Sequence, residues 1–242
     1  MTEIKVVENI LGRNDAQAVK NRSLMSRALC LNLMSSPGAG KTTLLERTLD
    51  RLGRKHLIGV IEGDIATSND ARRLRRFARP GTVYQIKTEN YGGGCHLDAD
   101  MVATGLAGIR AGSKPYDLIF IENVGNLICP AEFNLGEHKK VVLLSVTEGD
   151  DKPLKYPVIF KAADLVLVTK TDLLAHTDFS LKRAHSNIRK VHPRARILDC
   201  SSTSRDGFTE WLKQLEIWIN DKQNSRIQPD KSLRPPARPN SK

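Results

Sequence analysis

LNLMSSPGAGKTTLL, running from Leu31 to Leu45, joins three kinds of local chemistry in one stretch. The apolar run from Leu29 to Met34 reads as a buried strand, and after Lys41 the apolar residues Leu44, Leu45, Leu49 and Leu52 recur at helical spacing. Between strand and helix lie Pro37, Gly38, Ala39, Gly40, Lys41, Thr42 and Thr43. Glycines here let backbone N–H groups close around phosphate oxygens, a lysine suits the β- and γ-phosphates, and a hydroxyl suits Mg²⁺. The order strand, glycine loop, helix is the context in which a G-x-x-x-x-G-K-[ST] loop works, although Ser35 stands where the pattern has its first glycine.

The expected fold is therefore α/β, a P-loop nucleoside triphosphatase with a mostly parallel central sheet flanked by helices. Ser36, Gly38, Ala39, Gly40, Lys41, Thr42 and Thr43 are expected to surround the nucleotide's phosphates. At 242 residues the chain suffices for one substantial domain, which buries roughly 70–75% of the surface its unfolded form exposes. The expected division is a helical extension over 1–27, the nucleotide domain over 28–220 and a basic, proline-rich tail over 221–242, too poor in apolar residues to order itself.

Composition excludes several function classes. No apolar stretch approaches the ~20 residues of a membrane span, and MTEIKVVENI lacks the basic start and apolar core of a signal peptide. A soluble cytoplasmic protein without membrane contact is expected. The net charge of +11 collects in Arg72 to Arg79 and in the tail, and aromatics, at 5%, do not interleave with it. Without a stacking platform, a nucleic-acid partner is not expected. Four sparse cysteines read as thiols, buried or metal-binding, rather than as a disulfide framework.

Apolar positions from Ile4 to Val19 fit a helix interrupted around Gly12 to Asp15. His56 to Ile61 reads as a second strand ending in Glu62-Gly63-Asp64, and an acid at the carboxyl end of a parallel strand sits where ligands bind. Asp64 is thus a candidate for Mg²⁺ or the attacking water, or a carboxylate at the next helix N-terminus. Thr67, Ser68 and Asp70 follow, and then Arg72, Arg73, Arg75 and Arg76, a solvated basic face or a dock for an acidic partner. No arginine in that run is placed as a finger on the γ-phosphate, which predicts slow intrinsic hydrolysis.

Thr82 to Ile86 reads as a short strand. Tyr91-Gly92-Gly93-Gly94-Cys95-His96-Leu97-Asp98 then leads into a helical pattern from Leu97 to Ile109, so Cys95 and His96 lie near a helix N-terminus. The third strand, Asp117 to Ile121, runs into Glu122-Asn123-Val124-Gly125. An acid followed three positions later by glycine is the arrangement that holds the Mg²⁺ water shell and senses the γ-phosphate, so Glu122 and Gly125 join Lys41 and Asp64 as the catalytic set. Cys129 follows on the same segment, and Cys95, His96 and Cys129 together offer soft and imidazole ligands suited to nickel, zinc or copper.

Lys140 to Thr147 and Leu165 to Val168 are the next strands, the latter running into Thr169-Lys170-Thr171-Asp172. One carboxylate can accept both the ring N–H and the exocyclic amine of guanine, which adenine cannot offer, and a lysine stem can cover the base plane. Asp172 and Lys170 therefore point to guanine, with Thr169 where the N-K-x-D pattern has asparagine. Arg196 to Cys200 is a sixth strand, and the turn at Ser201, Ser202 and Thr203 is placed for N–H contacts to the guanine oxygen. An amphipathic helix, Phe208 to Ile219, closes the domain.

SSPGAGKTTLLERTL, EGDIATSNDARRL, GGGCHLDADMV, IENVGNLICP and TKTDLL, in this order and at these spacings, closely resemble the hydrogenase nickel-incorporation GTPases of the HypB type over residues 31–174. The resemblance implies a GTPase that dimerises through its nucleotide face on binding GTP and delivers nickel during [NiFe] hydrogenase assembly. Its partners would be an accessory nickel-binding protein and the hydrogenase large-subunit precursor. On the matching positions, Cys95, His96 and Cys129 would bind Ni²⁺ or Zn²⁺ near the dimer interface, Thr42, Asp64 and Glu122 would serve Mg²⁺, and Lys170, Asp172 and Ser201 would hold the base of GTP or GDP. Neither the C-x-x-C-G-C element nor the histidine-rich tract of some members occurs, so the GTPase-domain site is the expected metal site. Rival readings are a GTPase serving urease or a cobalamin enzyme, a metal-binding adaptor with a structural nucleotide site, and a small-molecule kinase, for which no acceptor site is visible.

Overall fold

The computed structural model describes residues 3–91, 94–110, 112, 114–204 and 206–227. Gly92 and Gly93 of the three-glycine run lie outside them, as does the part of the expected tail from residue 228 onward. Seven strands form one sheet: β1 (Leu29–Ser35), β2 (Ile58–Asp64), β3 (Val83–Lys87), β4 (Leu118–Glu122), β5 (Lys139–Ser145), β6 (Leu165–Thr169) and β7 (Ile197–Cys200). Every pairing is parallel, in the order β3-β2-β4-β1-β5-β6-β7. The strand before the glycine loop is thus central, and the carboxyl ends of β2, β4, β1, β5 and β6 open on one edge, where ligands bind in such sheets.

Helices cover both faces: α1 (Glu3–Leu24), α2 (Lys41–Leu52), α3 (Asn69–Arg75), α4 (Ala99–Gly108), the short α5 (Lys152–Lys155) and α6 (Pro157–Lys161), α7 (Leu181–Val191) and α8 (Phe208–Ile227). Alternation along β1 decides which layer each residue joins. Leu29, Leu31 and Leu33 pack with Leu44, Leu45, Trp211 and Leu215, from α2 and α8. Cys30 turns the other way, among Met25, Met101 and Val102 beside α1 and α4.

Two expectations change. The first helix is continuous through Gly12 to Asp15. A mid-helix glycine costs only about 1 kcal/mol, and Asn14 spends its side chain on distant partners, donating to Asn134 O at 2.9 Å and accepting from Ala99 N at 2.9 Å. It therefore does not compete for its own helix backbone. Asn21 repeats the device two turns further on the same face, donating to Ala99 O and Leu135 O. The closing helix, expected to end at Ile219, continues to Ile227. Polar contacts carry it past its apolar stripe, Lys222 Nζ meeting His138 Nε2 at 2.8 Å and Gln223 Nε2 donating to Asp117 Oδ1 at 3.3 Å.

β2 ends in Glu62-Gly63-Asp64, and Glu62 and Gly63 stay in the ladder, Glu62 level with Glu122 on β4 and with Gln85 on β3. That register sets two carboxylates side by side at the ligand edge of the sheet.

Candidate functional site

A cavity of about 420 Å³ lies at the carboxyl ends of β1, β2 and β4. Its walls come from the glycine loop (Gly38 to Thr43), the end of β2 with Asp64, Asp70 and Arg73 from α3, and the segment Glu122 to Gly125. Gly38 and Gly40 hold φ of 73° and 97°, a region that costs glycine no strain, and Gly40 caps α2. The loop's N–H groups and the helix N-terminus thereby face the cavity where an anion would sit. Ser35, the departure from the glycine pattern, has a local job: its Oγ accepts from Lys41 Nζ at 2.8 Å. Ser36 is turned away, its hydroxyl donating to Glu148 Oε2 at 2.6 Å.

Thr42 Oγ1 donates to Glu122 Oε1 at 2.6 Å, so hydroxyl and acid already meet where a hydrated cation would be shared. Asp64 accepts from Ala66 N, Thr67 N and Thr67 Oγ1, closing the turn that leads toward α3. Asp70 was expected in the segment facing the γ-phosphate and Glu62 was not singled out, yet ligand atoms of both lie with one of Asp64 within 4.8 Å of one another. Glu62 is 1% exposed, and one oxygen of each of Glu62 and Glu122 lacks a partner among the described residues. Unpaired buried carboxylate oxygens at the mouth of a phosphate cradle fit Mg²⁺ with its water shell.

Crowding shows in the acid–base balance. Burial, then the charges of Glu122 and Asp64, push Glu62 up to about 8. Burial pushes Glu122 up to about 7 against the pull of Lys41 and the Thr42 hydrogen bond. Burial lowers Lys41, while the surrounding acids, Glu122 first, oppose that shift. An acid raised above its unfolded value makes the folded state the better proton binder between the two values, so this contribution to stability is lost as pH rises through that window. Nucleotide-free protein is therefore expected to lose stability between about pH 4.5 and about pH 8. Glu62→Gln should flatten that slope when melting temperature is followed against pH; an unchanged slope would show Glu62 ionising freely.

Arg73 departs from the solvated run around it. Its guanidinium donates to Glu46 at 2.9 and 2.7 Å, to Asp70 at 3.2 Å and to Thr43 Oγ1 at 3.1 Å, while Arg72, Arg75 and Arg76 are exposed. It ties α3 to α2 at the cavity wall.

A second cavity, about 290 Å³, adjoins the first and is lined by Ala39, Gly40, Thr43, Thr169, Lys170, Asp172, Leu173, Ser202 and Thr203. Thr169 donates from Oγ1 to Ala39 O at 2.8 Å, so the residue replacing asparagine still joins this loop to the phosphate loop. Lys170 sits at φ 59°, and its Cε lies 3.8 Å from where a Cβ on Gly40 would be. Ser201 is buried beneath the cavity instead of lining it. Its hydroxyl donates to Asp172 Oδ1 at 2.5 Å and accepts from Thr203 N and Ser204 N. The turn's N–H groups at 203 and 204 are therefore spent internally, and Ser201 orients Asp172.

On the far side of Gly125 stand the soft ligands. Cys95 Sγ and Cys129 Sγ are 2.9 Å apart, and His96 Nδ1 is 3.9 Å from Cys95 Sγ. Donor atoms of all three lie within 4.8 Å of one another, close enough for one cation. His96 stacks on Phe133 with centroids 4.0 Å apart, and burial lowers its pKa, favouring the neutral imidazole that binds metals. The Cys95 sulfur holds the Cys129 thiol above its usual range, and a bound cation would reverse that pressure.

Residues 29–199 match the family model described as "CobW/HypB/UreG, nucleotide-binding domain". The hydrogenase maturation factor HypB of Azotobacter vinelandii is 48% identical over 226 residues, covering 93% of this chain and 71% of that one. Among solved structures, HypB from Archaeoglobus fulgidus superposes with a TM-score of 0.78 at 38% identity, covering 87% of this chain and all of that one. HypB from Helicobacter pylori in complex with nickel gives 0.75 at 36% identity, covering 92% and 99%. The chain belongs to the HypB family of hydrogenase maturation factors, within the CobW/HypB/UreG nucleotide-binding domains.

Proposed function

We propose that this P-loop GTPase serves [NiFe] hydrogenase maturation by binding nickel at Cys95, His96 and Cys129 and releasing it under control of the nucleotide. The observation that carries the reading is continuity: Glu122 to Gly125 line the phosphate cavity, and the same segment runs on to Cys129, whose sulfur meets Cys95. Gly125 stands so close to the phosphate loop that a Cβ on it would lie 2.8 Å from Pro37 N and Cα. A γ-phosphate arriving at this contact displaces the segment that bears a metal ligand.

In the hydrolytic half of the cycle, Lys41 leaves Ser35 for the phosphates and Thr42 and Glu122 open toward the cation. Magnesium, when bound, supplies charge neutralisation for phosphoryl transfer. Asp64 and Glu122 orient water, Gly125 offers its N–H to the γ-phosphate, and Lys170 and Asp172 hold guanine. Nickel is the cargo. Two sulfurs and one imidazole leave a four-ligand shell incomplete, and a second copy of the chain, brought in by GTP, would complete it. Zinc suits the same donors at rest. The accessory nickel-binding protein and the hydrogenase large-subunit precursor are the expected donor and recipient.

Nickel stoichiometry by equilibrium dialysis and mass by light scattering, on wild type and Cys95→Ala with GDP and a non-hydrolysable GTP analogue, test this together. Expected are dimerisation and altered nickel occupancy with the analogue, and loss of nickel in Cys95→Ala. Nickel binding indifferent to both nucleotide and Cys95 would overturn the reading and leave a GTPase without this cargo.

A further inference from the structure

The two arms of the Cys95, His96 and Cys129 cluster are held differently. The arm bearing Cys95 and His96 is fixed to the sheet, because Leu97 N donates at 3.1 Å to Asn123 Oδ1, a buried side chain that also accepts from Val124 N and donates to Asn32 Oδ1. Leu97 itself is fully buried, and α4 begins directly afterwards, with Asp98 accepting from Met101 N.

Cys129 opens a single 3-10 turn, Cys129–Ala131, at the end of a loop that starts at Gly125; Leu127 and Pro130 beside it are buried, while Ile128 is 60% exposed. One side chain spans that loop. Asn126 Oδ1 accepts from Ile128 N at 2.7 Å, forming a local turn, and Asn126 Nδ2 points at Cys129 Sγ from 3.6 Å. Asn126 is also the residue directly after Gly125, whose backbone abuts Pro37 of the phosphate loop. An amide N–H donor beside a ligand sulfur fixes its lone pairs and stabilises its negative charge, as outer-sphere donors do at metal sites.

We infer that Asn126 is the positioning residue that couples the nucleotide to the metal: it sets Cys129 Sγ against the fixed Cys95 and His96, and moves it when Gly125 shifts at the phosphate loop. The inference rests on the nickel reading of this cluster and adds to it the residue that transmits the change. Asn126 makes no bond to the cation. It acts through Cys129, and a backbone shift at residue 125 reaches the sulfur through one turn and one hydrogen bond.

Asn126→Ser separates the two contacts, since a serine Oγ can still accept from the N–H two residues on but is too short to reach the sulfur. Asn126→Ala removes both. Nickel affinity would be measured by competition with a chromophoric chelator, with GDP and with a non-hydrolysable GTP analogue, alongside thiolate-to-nickel charge-transfer absorption and binding of a fluorescent GDP. Both variants are expected to bind nickel about 10–100-fold more weakly, with a shifted charge-transfer band. The difference in nickel affinity between the two nucleotides should vanish, while GDP affinity stays within about twofold of wild type, as the position lies outside the phosphate and base contacts. An Asn126→Ser protein with wild-type nickel affinity and wild-type nucleotide response would overturn the inference. So would a defect confined to Asn126→Ala, because the turn alone would then carry it. Cys95→Ala separates this from the underlying reading: if it too keeps nickel, the cluster is not the metal site; if it loses nickel while Asn126→Ser does not, only the role of Asn126 falls.

Discussion

Lys41→Ala is expected to lower kcat for GTP hydrolysis by about 10²–10³-fold, the cost typical of removing one preorganised donor from developing negative charge. The cavity shows why the loss should be large. Its lining includes the cations Lys41, Arg73 and Lys170 against the acids Glu62, Asp64, Asp70 and Glu122. Arg73 already spends its charge on Glu46 and Asp70, and Lys170 stands on the base side. Lys41 is then the cation that faces both the phosphates and the buried acid pair, and its present bond to Ser35 is a neutral one that phosphate can replace. Phosphate release at saturating GTP measures the effect, and a melting curve shows whether the variant is folded. A folded Lys41→Ala protein hydrolysing within tenfold of wild type would remove Lys41 from the catalytic set. GDP affinity should fall less than kcat, since the transferring phosphoryl group is the moiety GDP lacks.

What the sequence revealed and what it concealed divide along one physical line. Strands buried on both faces write themselves as apolar runs, and the glycine loop needs its residue types at fixed spacing, so β1, β4, β6 and the phosphate cradle were legible. The pairing of the acidic end of β2 was not. Glu62 is a charged residue inside a strand, and only the neighbouring Glu122, sixty positions away, reveals that the pair shares a register. Arg73 was hidden in the same way: among arginines at helical spacing, the one that meets Glu46 and Thr43 is chosen by the packing of α3 on α2. Asn14 and Asn21 look like helix-weakening residues because their partners, near Ala99 and Leu135, lie far along the chain.

The departures from pattern became intelligible once neighbours were visible. Ser35 gives Lys41 an acceptor, and Thr169 ties the base loop to Ala39. Ser201 shows the reverse. Its position after β7 suggested a backbone N–H contact to the guanine oxygen, but its N–H donates to Asp206 O and its hydroxyl is held below the cavity by two N–H donors and a carboxylate. One signal was available in advance for Asn126, an asparagine between a glycine that abuts the phosphate loop and a cysteine two residues beyond Leu127. Which way its amide turned was not.

Asp172→Asn is expected to weaken GTP binding on the order of 10³-fold or more, and to create affinity for the xanthosine nucleotide where wild type has little. Asp172 is exposed beside the base cavity, and the Ser201 hydrogen bond, foremost among the influences on it, holds its carboxyl below the usual range. A lowered carboxyl stays ionised above the ordinary carboxylate range, so both oxygens remain pure acceptors through neutral and alkaline pH. Guanine presents two donors to such a group, its ring N–H and its exocyclic amine. The asparagine offers one acceptor and one donor, which leaves one of guanine's N–H groups facing an N–H. Xanthine has a carbonyl in place of that amine and fits the amide instead. The Ser201 hydroxyl can donate to the asparagine oxygen as it does to Asp172, so the loop itself should survive. Competition of GTP and XTP against a fluorescent guanine nucleotide reads both halves. Unchanged GTP affinity would show that Asp172 does not read the base. Lost GTP affinity with no gain for XTP in a folded protein would mean that the carboxylate's charge, rather than its pair of acceptors, holds the nucleotide.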